Sequence, residues 1–411
     1  MRILIIADGR SPITRGWLDG LLVRGHAVSL LSSFPCSPPL PGLEYFEVLP
    51  VAFSQYAGGG SGSALGRSTS PGGLKRWVRR FRGWFLAGRY QLGPFSVRAS
   101  TDRFRKLVLR QQPELVHAMR IPFEGMLGSF APPEIPLVVS IWGNDLTLHA
   151  SGSAGMRALT RRALQRADGL IADARRDIRL ARDWGYAAEK PALVVPGSGG
   201  LHLDFVRAAG CQGIEVLLGR SLSEGQALVI NPRGIRPGSV RTDTFFQALP
   251  AVLARFPDAV VACPSMAGQT EALQWMNRLD LDESRVKLLP TLPQADLWRL
   301  FHRAQVLVSV SQHDGTPNSF LEGIACGSFP VVGDIESLRE WIVPGVNGLL
   351  VPPEDAGALA EAITAGLADP GLRARAAAYN ADLVERRANA PQVMDKVEEF
   401  YRALVGKPKS V

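Results

Sequence analysis

Two acidic residues eight positions apart, Asp314 and Glu322, mark the segment of this sequence best suited to chemistry. The apolar run Val306–Val310 that precedes them predicts a buried strand. Thr316 is a favourable N-cap residue, and Pro317 suits the first helical position because its missing N–H costs nothing there. The pattern therefore predicts a strand, a tight polar loop that carries Asp314, and a helix that carries Glu322.

The first turn of that helix would leave backbone amides free at Asn318, Ser319 and Phe320. Free amides at the positive end of a helix dipole form a ready site for an anion such as phosphate. Glu322 lies four residues after Asn318, on the same helix face, where it could accept hydrogen bonds from sugar hydroxyls. A helix start beside a scattered glutamate is also common in α/β proteins, so the segment alone leaves a purely structural role open.

The strand predicted at Ala227–Ile230 leads into a loop with three arginines, Arg233, Arg236 and Arg241. A guanidinium is a fixed positive charge whose forked donors match phosphate oxygens. The alternative is a set of solvated loop arginines. We expect a phosphate site in which arginines and helix amides act together.

The composition is that of a soluble globular protein, with 46% hydrophobic and 20% charged residues in a chain of 411. Such a length fits two domains better than one core. No apolar run approaches the roughly 18 residues that a membrane-spanning helix needs. The four cysteines are widely spaced and the six histidines lack metal-ligand spacing. We therefore expect reduced thiols, a cytoplasmic location and no bound metal.

Positive charge is concentrated between Arg67 and Arg110, where twelve Lys or Arg residues stand against one acid. Aromatic residues recur there at helical spacing, at Trp77, Phe81, Trp84 and Phe85. The pattern predicts a basic amphipathic helix over Trp77–Arg89, which could dock on the inner, anionic face of a membrane. The same helix could instead pack its aromatics into the first domain and leave only a solvated basic face.

Candidate strands alternate with helices along most of the chain, which predicts parallel sheets covered on both faces. The stretch Ala208–Gly225 lacks such a pattern, and we place the boundary between two doubly wound α/β domains there, at 1–207 and 208–392. Ser54–Gly73, rich in Gly and Ser, predicts a flexible loop. Doubly wound domains bind ligands at the carboxyl ends of their strands, so a cleft between the two is the expected site.

The segment around the two acids resembles the E-x7-E motif of the retaining glycosyltransferases of family 4. Asp314 stands where the family usually has its first Glu, and Glu322 stands at the second. The segments Ala325–Val332 and Gly345–Pro353 are also similar to that family, and the resemblance is densest over residues 226–367. The change from Glu to Asp keeps the charge but shortens its reach by one methylene.

The resemblance implies the GT-B fold of two Rossmann-like domains facing across a cleft, with a last helix, 393–411, that crosses back to the first domain. It implies a retaining, metal-independent transfer from a UDP- or GDP-linked sugar to a hydroxyl acceptor, without a cofactor. Glu322 would accept hydrogen bonds from the ribose hydroxyls. Asp314 and the loop Gly315–Pro317 would contact the donor sugar. The base would lie near Leu292, where the family's contacts are largely backbone.

The family's R-x4-K pair, whose cations neutralise the diphosphate, resembles the arginines of the loop after Ile230. Arg236 and Arg241 have the spacing, whereas Arg233 stands nearer the strand end, where the family's Arg usually falls. We favour Arg233, Arg241 and Asp314 as the catalytic residues, with Arg236 as the competitor of the two arginines.

The first half carries weaker similarity to the family. Its substrate-binding candidates follow predicted strands: Gly9, Arg10, Trp142, Asn144, Asp145 and Gly199. Trp142 replaces a His of the family's H-G-S-D loop and could stack on a sugar or simply pack. His117 is expected to be a buried strand-end residue, so a His-based proton shuttle is not supported.

Three alternatives stay open at this stage. A GT-B phosphorylase would need a lysine for pyridoxal phosphate in the second half, where lysine is scarce. A nucleotide-sugar epimerase would need further acids and histidines that we cannot identify. A non-catalytic module could use Arg67–Arg110 to bind a membrane or nucleic acid, although it would not need the phosphate-site residues, and we expect no nucleic-acid partner.

Overall fold

The computed structural model of the protein describes residues 1–56 and 82–406. Its chain forms two compact units. The first unit contains Met1–Gly200 and the C-terminal segment from Val393 onwards, and the second contains Leu201–Gln392. Each unit is built on a parallel β-sheet, as the alternation of strands and helices predicts.

In the described residues of the first unit the sheet has seven parallel strands in the order β3-β2-β1-β4-β5-β6-β7. The strands are β1 Arg2–Ala7, β2 Ala27–Ser32, β3 Tyr45–Val48, β4 Leu115–Ala118, β5 Leu137–Ile141, β6 Gly169–Ala172 and β7 Ala192–Val194. Successive side chains of β1 pack alternately into two cores: Leu4 and Ile6 lie in one cluster, and Ile3 and Ile5 lie in another. Both faces of the sheet are therefore covered.

The helices of the first unit lie between these strands. They are α1 Pro12–Val23, α2 Arg82–Ala99, α3 Thr101–Gln111, α4 Met126–Gly128, α5 Ala154–Arg166 and α6 Arg175–Asp183. Short helical turns occur at Ser54–Tyr56, Ile121–Gly125 and Asp145–His149. The last two follow β4 and β5 directly, so they lie at the carboxyl end of the sheet.

In the second unit six parallel strands have the order β10-β9-β8-β11-β12-β13. They are β8 Leu228–Ile230, β9 Val260–Cys263, β10 Val286–Leu288, β11 Val306–Ser309, β12 Phe329–Gly333 and β13 Leu349–Val351. The helices are α7 Leu203–Ala208, α8 Ile214–Leu218, α9 Thr242–Arg255, α10 Thr270–Arg278, α11 Gln294–Arg303, α12 Asn318–Ala325, α13 Glu336–Arg339, α14 Ala356–Ala368 and α15 Pro370–Ala388.

The stretch Ala208–Gly225 is more ordered than its composition indicates. It contains α8, whose Ile214 and Leu218 are buried in a core cluster of the second unit. The preceding helix α7 buries Leu203 and Val206 in the same cluster. These contacts assign residues 201–207 to the second unit, so the division falls at Gly200, ahead of the boundary drawn from the sequence.

The last helix, α16, spans Ala390–Val405. Its residues from Val393 onwards belong to the first unit, where Val397 and Tyr401 are fully buried beside β1 and β4 residues. The Tyr401 hydroxyl lies 2.6 Å from Nδ1 of His117, and Trp17 Nε1 donates to the same hydroxyl at 3.1 Å. Hydrogen bonds and apolar contacts together hold this helix on the sheet of the first unit.

Residues 77–81 of the segment predicted as a basic amphipathic helix, Trp77–Arg89, lie outside the described residues, as does most of the predicted loop Ser54–Gly73. The described backbone is helical from Arg82 onwards as α2. Within residues 1–56 and 82–406, no helix is both long enough and apolar enough to cross a membrane.

Candidate functional site

The sheet order of each unit reverses direction at one point, and this point predicts where a ligand binds. In the second unit β8 has β9 on one side and β11 on the other, so the loops after β8 and β11 diverge above the sheet. In the first unit β1 stands in the same relation to β2 and β4. Crevices at such switch points are the usual ligand sites of doubly wound sheets.

At the switch point of the second unit, Arg233 forms an ion pair with Asp314. Arg233 is buried, at 7% exposure, and its Nη1 lies 3.4 Å from the Ser319 hydroxyl at the start of α12. Asp314 also accepts from the Ser311 hydroxyl at 3.1 Å and from the Gly315 amide at 3.2 Å. The predicted strand, polar loop and helix thus bring the first acid and an arginine of another loop together.

The other two arginines of that loop lie in different surroundings. Gly234, with a φ of +61°, turns the chain after Arg233 in a conformation that favours glycine. Arg236 Nε then donates to the Arg233 carbonyl at 3.0 Å. The charge of Arg233 lowers the pKa of Arg236 to about 10, and burial acts in the same direction.

Arg241 points to acids rather than to the Arg233–Asp314 pair. It donates to both oxygens of Asp243 at 2.9 and 2.7 Å and lies 3.4 Å from a Glu354 oxygen. The hydrogen bond to Asp243 raises the pKa of Arg241. Arg236 is therefore the arginine that the fold sets beside Arg233, although the sequence pattern favours Arg241.

Helix α12 begins one position later than the residue types predict. Pro317, at φ −65° and ψ 130°, occupies the N-cap position, and Asn318 is the first helical residue. The Thr316 hydroxyl instead accepts from Trp341 Nε1 at 2.9 Å, which explains why it does not cap the helix. The Phe320 amide donates to the Pro317 carbonyl at 3.0 Å, and the amides of Asn318 and Ser319 donate to no acceptor in the described part of the chain.

Glu322 lies one turn further along α12 and is 6% exposed. Its Oε1 accepts from Gln294 Nε2 at 2.7 Å. Burial raises the pKa of Glu322 to about 7, although the Gln294 hydrogen bond acts in the opposite direction. Gln294 begins α11, two residues after the half-buried Leu292, and no feature of the sequence singles it out.

At the switch point of the first unit, Gly9 permits a close approach between two loops. Its amide donates to the Ser32 hydroxyl at 3.1 Å, and a Cβ there would lie 2.7 Å from the Cys36 sulfur. Arg10 follows, with two hydrogen bonds of 3.0 Å to the carboxylate of Asp8. Its guanidinium carbon lies 3.9 Å from the ring centre of Phe34.

The predicted Trp142–Asp145 loop divides into a buried part and an accessible part. Asp145 is fully buried and accepts from Arg120 Nε at 2.9 Å, from the Trp142 amide at 3.1 Å and from the Ile121 amide at 3.2 Å. Asp145 therefore holds the Arg120 guanidinium and the two backbone amides in place from the buried side of the loop. Asn144 accepts from Arg120 at 3.0 Å, and the Arg120 guanidinium lies 5.3 Å from the ring centre of Trp142.

Residues that sequence reasoning missed complete this edge of the first unit. Glu124 is 5% exposed and accepts from the Ser33 hydroxyl. Phe123 has a φ of +74°, a left-handed conformation that costs about 1–3 kcal/mol for a residue other than glycine. Gly93 of α2 makes room for its ring, since a Cβ there would lie 2.5 Å from Phe123 Cε1. Backbone strain of this kind is concentrated at functional sites.

Two further positions of the first unit are packed into its interior. His117 is fully buried, with Nε2 2.8 Å from the Ser140 hydroxyl, and burial lowers its pKa to about 3. It is the buried strand-end residue expected from the sequence. Gly199 lies against α16, where a Cβ would come within 3.1 Å of the Met394 sulfur.

Residues 1–56 and 82–406 contain no cluster of His, Cys, Asp and Glu side chains that could hold a metal ion. All four cysteines are free thiols, as their spacing predicts.

Two family profiles match the sequence. The profile described as "Glycosyl transferase 4-like domain" matches residues 9–197, and the one described as "Glycosyl transferases group 1" matches residues 236–369. The first match covers the switch-point loops of the first unit. The second begins at Arg236 and includes both acids. No curated protein matches the sequence significantly.

Several solved structures have the same architecture. HepE of Anabaena, in complex with UDP, is 18% identical with a TM-score of 0.71 over 98% of this chain and all of its own. A glycosyltransferase from Rickettsia africae is 13% identical with a TM-score of 0.70, over 99% of both chains. Sucrose-phosphate synthase of Thermosynechococcus elongatus is 17% identical with a TM-score of 0.70, over 98% of this chain and 99% of that one. At such identities the likeness establishes the fold.

Proposed function

Because the chain belongs to the glycosyltransferases of family 4 and has their GT-B fold, we propose that it moves a sugar from a nucleoside diphosphate sugar to a hydroxyl acceptor. The donor binds the second unit and the acceptor binds the carboxyl edge of the first. The reaction retains the configuration of the transferred sugar and requires no metal ion. The nucleotide is UDP or GDP; among the structural neighbours, HepE is known in complexes with UDP and UDP-glucose.

The observation that carries this proposal is the arginine pair beside the start of α12. Arg233 contacts Ser319 at the first turn of the helix, and Arg236 follows within the same loop. The amides of Asn318 and Ser319 and the two guanidiniums are suited to hold a diphosphate. Glu322, four residues after Asn318, would then accept from the ribose hydroxyls.

The bond changes follow from these positions. The bond between the anomeric carbon and the diphosphate oxygen breaks, and its electron pair leaves with the diphosphate. Arg233 and Arg236 stabilise the charge that develops on that oxygen. The acceptor oxygen bonds to the anomeric carbon on the same face, and its proton passes to the departing diphosphate. Asp314 contacts the donor sugar.

The stereochemistry and the metal requirement are tested with one purified sample of the full-length protein. The product formed from UDP-glucose or GDP-mannose is followed by NMR, and the proposal expects the anomeric configuration of the donor. EDTA should leave the rate unchanged. An inverted product, or activity that EDTA abolishes and magnesium or manganese restores, would overturn this mechanism.

We also propose that the first unit docks at a membrane. In support, α2 contains the end of the basic segment Trp77–Arg89 and exposes Leu92 and Phe95, at 53% and 66%, three residues apart on one helix face. Flotation with anionic and neutral liposomes at low and high salt is the test. Recovery only with anionic vesicles, reduced by salt and by the double change Leu92→Ser with Phe95→Ser, is expected. Equal recovery with neutral vesicles would refute the docking and leave the transferase proposal intact.

A further inference from the structure

Arg89 of α2 is a cation that the described residues leave without a bonded partner. Its guanidinium carbon lies 4.7 Å from the ring centre of Phe123 and 5.4 Å from that of Phe34. Its Nε is buried and has no hydrogen-bond acceptor in residues 1–56 and 82–406. A buried N–H of this kind is costly to leave unpaired, and a bound ligand can supply the missing acceptor.

Two arginines of the switch-point loops, Arg10 after β1 and Arg120 after β4, act electrostatically on Arg89. Arg10 stacks on the ring of Phe34 that Arg89 also approaches. Burial lowers the pKa of Arg89, and the positive charges of Arg120 and Arg10 lower it further. Arg10 and Arg120 each have their own carboxylate, Asp8 and Asp145. The surplus positive charge therefore belongs to Arg89.

Glu124 offsets this charge only in part. Its carboxyl accepts from the Ser33 hydroxyl, and it forms no ion pair with Arg89 in the described part of the chain. Burial raises the pKa of Glu124 to about 7, against the opposing effects of Ser33 and Arg120. Burial therefore disfavours the charged form of Glu124 and limits how far it offsets the charge of Arg89.

We propose that Arg89, Arg10 and Arg120 bind a phosphate group carried by the sugar acceptor, so that this enzyme glycosylates a phosphorylated molecule. The assignment as acceptor site rests on the proposed function. Three guanidiniums from three elements present more donors than the two oxygens of a carboxylate can accept, whereas a phosphate offers three oxygens. The site lies at the switch point of the first unit, where such a sheet binds its ligand.

The test is calorimetry on the full-length protein, with saturating UDP or GDP added to fill the anion site of the second unit. The probes are glucose 6-phosphate, glucuronate and dihexanoyl phosphatidic acid at matched ionic strength. We expect at least one of the two phosphates to bind and glucuronate to bind far more weakly. Binding of glucose 6-phosphate identifies a soluble acceptor, and binding of the phosphatidic acid alone identifies a lipid-linked one.

Arg89→Gln and Arg10→Gln should each weaken phosphate binding at least about tenfold, the usual loss for a charged hydrogen-bond partner. Arg98→Gln is the matched control, because Arg98 is exposed on the same helix; it should change binding less than twofold. Unaltered nucleotide affinity verifies that each variant is folded.

Failure of both phosphates to bind, equal binding of glucuronate, or wild-type affinity in both Arg89→Gln and Arg10→Gln would overturn the phosphate assignment. Absence of nucleotide binding while phosphate binding still depends on Arg89 would instead overturn the proposed function alone.

Discussion

Arg233 and Asp314, 81 residues apart in the chain, form an ion pair where the loops after β8 and β11 meet. The pair places a buried guanidinium beside the first turn of α12 and neutralises it in the ligand-free protein. A diphosphate that engages Arg233 must therefore compete with a carboxylate already in place. This competition gives Asp314 an effect on nucleotide affinity that is separate from its contact with the donor sugar.

Asp314→Asn should separate these two roles. Removing the charge frees Arg233, so the affinity for UDP or GDP should rise about threefold or more at low salt. Sugar transfer should fall about 10–100-fold, because a charged hydrogen bond to the donor sugar is lost. Calorimetry and initial rates measure the two effects. Weaker nucleotide binding together with normal turnover would show that the carboxylate does not compete for Arg233.

Arg236 should matter more for turnover than Arg241. Arg236→Gln and Arg233→Gln should each lower kcat about 10–100-fold, because the leaving diphosphate gains charge in the transition state. Arg241→Gln should stay within about threefold of the wild type, since Asp243 and Glu354 already hold that guanidinium. Arg255→Gln, an exposed position of the same unit, serves as the control. A larger loss for Arg241→Gln than for Arg236→Gln would support the order favoured by the sequence.

Nucleotide-sugar affinity should rise with pH through about 7. In the free protein burial raises the pKa of Glu322 to about 7, and ribose hydroxyls donate to its ionised form. Below that pH the group must lose a proton before it accepts, so affinity falls by up to about tenfold per pH unit. Titrations between pH 6 and 8 with intact UDP-glucose or GDP-mannose avoid the terminal phosphate of a free diphosphate. The same pH dependence in Glu322→Gln would assign it to another group.

Unfolding should take up a proton because of His117. Its native pKa is about 3, against about 6.5 in an unfolded chain, so between these values only the unfolded state binds the proton. His117 therefore lowers the free energy of unfolding as the pH falls below about 6.5, by about 1.4 kcal/mol per pH unit. Calorimetric unfolding at pH 5 in two buffers counts the protons. His117→Gln should reduce the uptake by about one. An uptake in His117→Gln equal to that of the wild type would mean that His117 is charged in the native protein.

The parallel sheets were predictable because each buried strand is a short apolar run. β8 and β11 lie where the runs Ala227–Ile230 and Val306–Val310 predict them, with ends within one residue. β3 and β13 were missed, because Tyr45–Val48 is half-buried at a sheet edge and Leu349–Val351 is only three residues long. Local composition also could not reveal that Ile214 and Leu218 find partners in a distant core.

Site residues with a charge and a position after a strand could be proposed from sequence, as with Arg233, Asp314 and Arg10. Which arginine lies beside Arg233 could not be predicted. Arg236 and Arg241 are the same residue type, and only the turn at Gly234 and the acids beside Arg241 distinguish them. Arg89 was predicted only as the end of a basic helix, and Glu124 was not singled out at all. Only the folded sheet brings the two residues to one edge.

The central claim is that the second unit binds the nucleotide part of a sugar donor through Glu322 and the start of α12. Calorimetric titration of UDP and GDP into the wild type, Glu322→Ala and the exposed control Glu361→Ala, with and without EDTA, tests it most directly. We predict binding that EDTA does not change, an affinity loss of about 10–100-fold in Glu322→Ala, and no loss in the control. Equal affinity in Glu322→Ala and the wild type, or no binding of either nucleotide, would contradict the claim.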